Sequence, residues 1–261
     1  MPDSPLISSA DILSFDILIN GQQIKDIYEV ISIEVERVVF RIPTAKIILA
    51  LPVGSEGNQT FAASESGDFI PGVEIDIKLG SVSKKETVFR GIIVNQGIRN
   101  LRGEINELIL HCSDKSAKMT LGRKSAYYQD MTDGAIMGSI LGDYGLSSEV
   151  ESTTYIHKQL VKYQVNDWDF IVGRAEANGM LAYIENGKVS VKKPFASGIA
   201  DLKVEFGNDV LSYDFSVESR FQAPSVTNSA WDFKTQSLVE EKSCEPDLNQ
   251  QGNLKGIELG R

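Results

Sequence analysis

From residue 12 to residue 110 the apolar residues fall on every second position in a series of short runs. In ILSFDILINGQQI they are Leu13, Phe15, Ile17 and Ile19, followed by Asn20-Gly21, a dipeptide suited to a two-residue hairpin turn. ISIEVERVVF repeats the pattern at Ile31, Ile33 and Val35, and TAKIILALPV is a more continuous apolar run. VEIDIKLG alternates at Val73, Ile75, Ile77 and Leu79, and ETVFRGIIVNQGI and NELILHCSD follow. Side chains point to opposite faces along a strand, so a period of two predicts half-buried strands. Gly, Pro, Asn, Asp or Ser bounds each run, and the polar stretch from Gly54 to Asp68 predicts a long exposed loop. Many short alternating strands with close turns predict an antiparallel barrel or sandwich rather than a parallel α/β sheet.

The period changes after Asp114. TDGAIMGSILGDYGL places Ile136, Met137, Ile140, Leu141 and Tyr144 at helical spacing, which predicts a helix over about 132–144. Thr132 or Asp133 can cap it, and Gly145 stops it. NDWDFIVGRAEANGM predicts a second helix over 167–178, capped by Asn166 or Asp167 and ended by Gly179, with Trp168, Ile171, Val172 and Ala175 on one apolar face. MLAYIENGKVSVKKP predicts a hairpin over 180–192 that turns at Asn186-Gly187. Weak alternation returns at Leu202, Val204 and Phe206 and at Tyr213, Phe215 and Val217, before a polar tail.

The second helix raises the question of chemistry, because Asp167, Asp169, Arg174 and Glu176 crowd around Trp168 and Phe170. Asp167 and Asp169 are two apart and do not face each other on a helix. Glu176 lies seven beyond Asp169, roughly two turns along the same side, a spacing at which two carboxylates could act as acid and base. The favoured reading is a cap, a partner for the helix dipole and a solvated face, with Arg174 in an ion pair and Trp168 and Phe170 docking the helix on the β core. On that reading Asp167→Asn is close to neutral, since Asn caps as well as Asp.

No other constellation points to catalysis. His111 and Cys112 are adjacent and would point to opposite faces of a strand, and His157 stands apart, so no metal site is expected. No G-x-S-x-G elbow occurs, GSEGN at 54–58 lacks the P-loop lysine, and no G-x-G-x-x-G joins a strand to a helix. The expectation is a protein without catalytic residues, metal or cofactor.

Composition narrows the class further. The chain has 261 residues, 42% hydrophobic and 24% charged, enough for one large domain or two ordinary ones. A net charge of −10 argues against nucleic acid and anionic membranes as partners. Two cysteines, Cys112 and Cys244, make no disulfide framework and suggest a reducing compartment. MPDSPLISSADILSF has no basic segment followed by an apolar one, and no apolar run is long enough to span a bilayer, so neither a secretory signal nor a membrane anchor is expected. Most aromatics fall at alternating, core-like positions, which argues against a carbohydrate-binding β module.

Several segments, taken in order, resemble the N-terminal hub region of VgrG proteins, the spike proteins of type VI secretion systems. They are similar too to the tail hubs of contractile phages and of extracellular injection particles. These are RIPTAKIIL (41–49), FIPGVEIDIKLG (69–80), VFRGII (88–93), LILHCSDKSAKMTLGRKSAYYQDMTDGAIMGSIL (108–141), YGL (144–146) and YQVNDWDFIVGRAEANGM (163–180). The resemblance implies a mainly β fold with inserted helices, made of two antiparallel β-barrel domains like the tube subunit, here 1–115 and 116–261. It implies a non-enzymatic adaptor, a homotrimer that joins a hexameric inner-tube protein to a threefold spike, needle or spike-tip protein, with baseplate proteins and secreted effectors as further partners. Such a hub is assembled in the cytoplasm and exported by the machine itself. Members usually continue into a small barrel and a threefold β-helix needle. These residues hold no valine-glycine repeat, so the needle is expected outside this stretch or on a separate chain. A wall-degrading hub enzyme would need a catalytic Glu in a helical lobe, and no such lobe is visible.

Overall fold

The computed structural model describes residues 13–25, 27–51, 67–100, 106–194 and 225–243, with isolated positions 204, 206, 212–214 and 216. Contacts divide the chain into two compact units, Pro5–Phe195 and a second of Met1–Ser4 with Ala196–Arg261.

The larger unit begins with seven strands: β1 (Leu13–Ile19), β2 (Gln22–Gln23), β3 (Glu29–Glu36), β4 (Thr44–Leu51), β5 (Glu74–Ser81), β6 (Lys85–Arg99) and β7 (Asn106–Ser113). They form one antiparallel sheet in the order β2-β1-β5-β6-β7-β4-β3. The predicted alternation sets its core. Ile17, Ile47, Leu49, Ile75, Ile77, Phe89, Ile93, Leu108 and Leu110 are all buried on one side, with Cys112 among them. The Asn20-Gly21 turn has positive φ at both residues, the geometry that matches strand twist in a two-residue hairpin. Strand β6 is shared end to end: its first half pairs with β5 and its second with β7, and the change-over falls at Ile92. Gly91 stands there, where a Cβ would run into the Ser113 carbonyl and meet the Phe89 ring at 2.8 Å.

A 3₁₀ turn (Lys115–Thr120) leads into β8 (Lys124–Tyr128), β9 (Met131–Thr132), α1 (Asp133–Asp143), β10 (Ser147–Val150), β11 (Ile156–His157), β12 (Leu160–Val165), α2 (Asp167–Ala177), β13 (Leu181–Glu185) and β14 (Lys188–Lys192). A second core forms here. Ile136, Met137, Ile140 and Leu141 of α1 and Trp168, Ile171 and Ala175 of α2 pack with Met119 and with Ala182, Ile184, Val189 and Val191 of the β13–β14 hairpin. That hairpin turns at Asn186-Gly187, both at positive φ. β8 and β12 form a two-stranded antiparallel ribbon, and β9 pairs with β11. β10 runs parallel to β14, the one parallel pair among the described strands.

The fold is mainly β with helices inserted between strands, as the periodicity predicts. Three expectations need correction or fall elsewhere. In the smaller unit the described structure is a hairpin, β15 (Thr227–Asp232) and β16 (Ser237–Lys242), outside the two runs read as strands. Val204, Phe206 and Tyr213 of those runs are exposed, while Leu202, Phe215 and Val217, like most of the polar stretch 54–68 and Cys244, lie outside the described residues. Aromatics are also less internal than their spacing suggests: Phe15, Tyr127, Tyr155, Tyr163, Trp231 and Phe233 are all exposed. Among the described residues no helix is long and apolar enough to cross a membrane.

Candidate functional site

Both helices are fixed by their termini. Asn166 is the N-cap of α2. Its side-chain oxygen accepts from the Asp169 amide at 2.7 Å, and its NH₂ donates to the Asp169 carboxylate at 2.6 Å. At the other end Gly179 takes φ +65°, the Gly179 amide donates to the Glu176 carbonyl at 3.0 Å and the Met180 amide to that of Ala175 at 2.9 Å. That pair of bonds is a Schellman motif, and the left-handed residue it needs is most cheaply a glycine. α1 starts from Thr132, whose hydroxyl accepts from the Ala135 amide, and ends in the same motif at Gly145.

Trp168 is 3% exposed. Its indole N–H reaches beyond the second core and donates to the Phe40 carbonyl at 3.1 Å. Phe40 sits in the connection between β3 and β4 at φ +66°, a sparsely populated conformation for a bulky residue. Its amide donates to the Ala182 carbonyl at 2.7 Å, so both polar groups of Phe40 are held by the second core. Phe170 packs against the same core. It is half-buried and stacks on Tyr128 of β8 with ring centroids 6.0 Å apart.

Of the four charges around α2, Asp169 and Glu176 lie on a wet face, whereas Asp167 and Arg174 turn inward. Asp167 is buried and is not the cap. Its carboxylate accepts from the buried Lys162 ammonium, from the Tyr144 hydroxyl at 2.5 Å and from Lys124 at 2.8 Å. Lys162 lies on the inward face of β12, 5.7 Å from the centre of the Phe170 ring. Burial draws its ammonium below the usual lysine range, and the nearby Lys124 adds to this.

Arg174 does not pair with Asp169 or Glu176. It crosses to α1 and donates two bonds to Asp133, at 2.6 and 2.8 Å. The Asn178 amide and His157 complete the set around that carboxylate, at 2.9 and 3.0 Å. His157 is therefore not alone: its Nε2 faces the Asp133 carboxylate. Burial works to raise the Asp133 pKa, but the hydrogen bonds from Arg174, Asn178 and His157 together outweigh it and hold the carboxyl well below its ordinary range. Asp133 in turn raises the pKa of Arg174.

These two clusters are the most developed polar sites among the described residues. Their residues come from β8, β11, β12, the two helices and the residues that cap their C-termini, and most were out of reach of sequence reasoning: nothing local marks Asp133, Lys124, Tyr144, Lys162 or Asn178 as a network. Both carboxylates are occupied by the protein's own donors. Asp169 and Glu176 are exposed and are not brought together with either cluster. His111 and Cys112 do point to opposite faces, His111 outward and Cys112 into the core, where burial pushes its thiol up to about 12 and removes its reactivity. Among the described residues no group of three or more His, Cys, Asp or Glu is placed to hold a metal ion.

The arrangement of strands and helices is that of phage tail proteins. It is similar to the 43 kDa tail protein of prophage MuSo2 from Shewanella oneidensis, with a TM-score of 0.64 and 11% identity over 92% of this chain and 71% of that one. It is similar too to a tail protein from Neisseria meningitidis MC58, with a TM-score of 0.58 and 12% identity over 91% and 69%. A type VI secretion component from E. coli follows at a TM-score of 0.47 and 16% identity over 67% and 48%. At such identities the likeness is one of fold. No curated protein matches the chain in sequence. The chain belongs to the Alg8 N-terminal domain family, whose model matches residues 9–261.

Proposed function

We propose that the chain is a structural hub of a contractile injection machine of the VgrG kind. Three copies form a ring that joins a hexameric inner tube to a threefold spike. In this reading residues 1–115 supply the first tube-like domain and the chain from 116 the second. The ring meets the tube protein on one side and the spike or needle on the other, with baseplate proteins around it and secreted effectors as cargo. It is assembled in the cytoplasm and leaves through the machine. The observation that carries the reading is the tail-protein fold over nearly the whole chain. Asp133 and Asp167, buried carboxylates of the larger unit that are taken up by the protein's own cations, suit a scaffold rather than an enzyme. A hub of a phage tail or extracellular injection particle is the second reading, favoured by the two solved tail proteins that share the fold. The test is the copy number in the assembled particle, by electron microscopy. Three copies per ring supports the hub; six copies, or one, overturns it, because no symmetry mismatch would then be bridged.

A further inference from the structure

Among the described residues, strand β3 ends the seven-stranded sheet and pairs only with β4, which leaves its other edge without a strand partner there. It is acidic, with Glu29, Glu34 and Glu36 and no Lys or Arg. All three are exposed, and Ile31 between them is exposed as well. Glu36 is 4.0 Å from Arg41, whereas Glu29 and Glu34 make no ion pair among the described residues, although Lys46 stands opposite Glu34 on β4. An open, ordered edge with this much exposed strand is a pairing surface unless something covers it.

The β8–β12 ribbon has the opposite character. In a chain of net charge −10, Lys115–Tyr128 holds four Lys or Arg and Lys158–Val165 two, with no Asp or Glu in either segment. Lys115 pairs with Glu74, and Lys124 and Lys162 with Asp167, which leaves Lys118, Arg123 and Lys158 exposed and without an ion pair among the described residues. The inward side of the ribbon is used by Lys162 and by Tyr128, which packs on Phe170. Its outward side presents Tyr127, Val161 and Tyr163 at 54%, 60% and 77% exposure, with Tyr127 and Val161 directly opposite in register. Exposed aromatic and apolar side chains on this face, with unpaired cations in the same two segments, have the composition of an interface.

We propose that the outward face of the β8–β12 ribbon docks on the β3 edge of a second copy of this chain. Tyr127, Val161 and Tyr163 cover Ile31, while Lys118, Arg123 and Lys158 face Glu29 and Glu34. The contact joins two different surfaces, so it runs head to tail, the kind of joint that builds a ring when the rotation between copies closes. This rests on the trimeric-hub reading and names the joint that the hub would use. Nucleic acid fits less well, since three free cations in a chain of net charge −10 give little to a polyphosphate.

The test uses the full chain and three variants: Arg123→Glu with Lys158→Glu, Glu29→Lys with Glu34→Lys, and all four changes together. Sedimentation velocity over a concentration series reads self-association, and circular dichroism verifies that each variant is folded. Either pair alone should weaken association about tenfold or more, and the four together should recover most of it, as complementary charges predict. Added salt should weaken the wild-type contact. If the ribbon pair assembles like wild type, the ring stands and this joint is wrong. If the wild type stays monomeric at every concentration, the hub reading fails and takes the joint with it. If the ribbon pair instead loses binding to a labelled single-stranded oligonucleotide while assembly persists, the surface is for nucleic acid and the proposal is overturned.

Discussion

Removing the charge of Asp167 would leave the Lys162 ammonium in the interior with no counter-ion. Breaking one partner of a buried pair typically costs about 3–5 kcal/mol, because the remaining charge is uncompensated. Asp167→Asn is therefore expected to lower the denaturant midpoint clearly, against the near-neutral effect that a capping role would give. Lys162→Met combined with Asp167→Leu should recover most of the loss, since Lys124 and Tyr144 can turn to water. A midpoint unchanged in the single variant would show that Lys162 escapes to solvent or gives up its proton in place. Trp168 carries a different kind of load. Trp168→Ala removes a large buried side chain and should cost about 3–5 kcal/mol. Trp168→Phe keeps most of the packing but strips the Phe40 carbonyl of its donor, so about 1–3 kcal/mol is expected from that group alone. Chemical denaturation of the two variants separates packing from the hydrogen bond.

Strand β6 turns from one neighbour to the other at a residue without a side chain. Gly91→Ala would push a methyl into the Ser113 carbonyl and the Phe89 ring, neither of which can swing away as a surface lysine would. Overpacking of this kind costs about 1–3 kcal/mol, measurable as a lowered thermal midpoint with β content retained by circular dichroism. The same elements show what the chain's pattern reveals and what it hides. The strands of the first sheet, both helices and the Asn20-Gly21 and Asn186-Gly187 turns are legible because burial on one face, caps and positive-φ turns each leave a local trace. The partners of the charges are not legible. Lys162 sits in a run, LVKYQV, where every neighbour could face inward, and only the packing of Phe170 and Tyr144 decides that the lysine does. Arg174 finds Asp133 across 41 positions of sequence, a separation no periodicity encodes. The parallel β10–β14 pair is hidden for the same reason.

The whole molecule should respond to acid through Asp133. Its folded pKa lies below its unfolded value, so it contributes stability that is fully present above the unfolded value, roughly 3.9, and that is lost as the pH falls through the folded one. Thermal melts should show stability falling below about pH 5, and Asp133→Asn should flatten that fall while lowering the midpoint at neutral pH. An unaltered acid profile in the variant would mean that other carboxylates govern it. In solution the chain alone is expected to be a concentration-dependent mixture of monomer and trimer, checked by light scattering.

The position of Trp168 also makes the molecule report on itself. The chain has two tryptophans, and Trp231 is 54% exposed while Trp168 is enclosed. Their emission should differ in colour and in access to a soluble quencher such as acrylamide. A Trp231→Phe variant would leave one indole, bonded to the β3–β4 connection. Any event that loosens that connection, whether heat, acid or the arrival of a partner on β3, would then be seen as a red shift from a single indole.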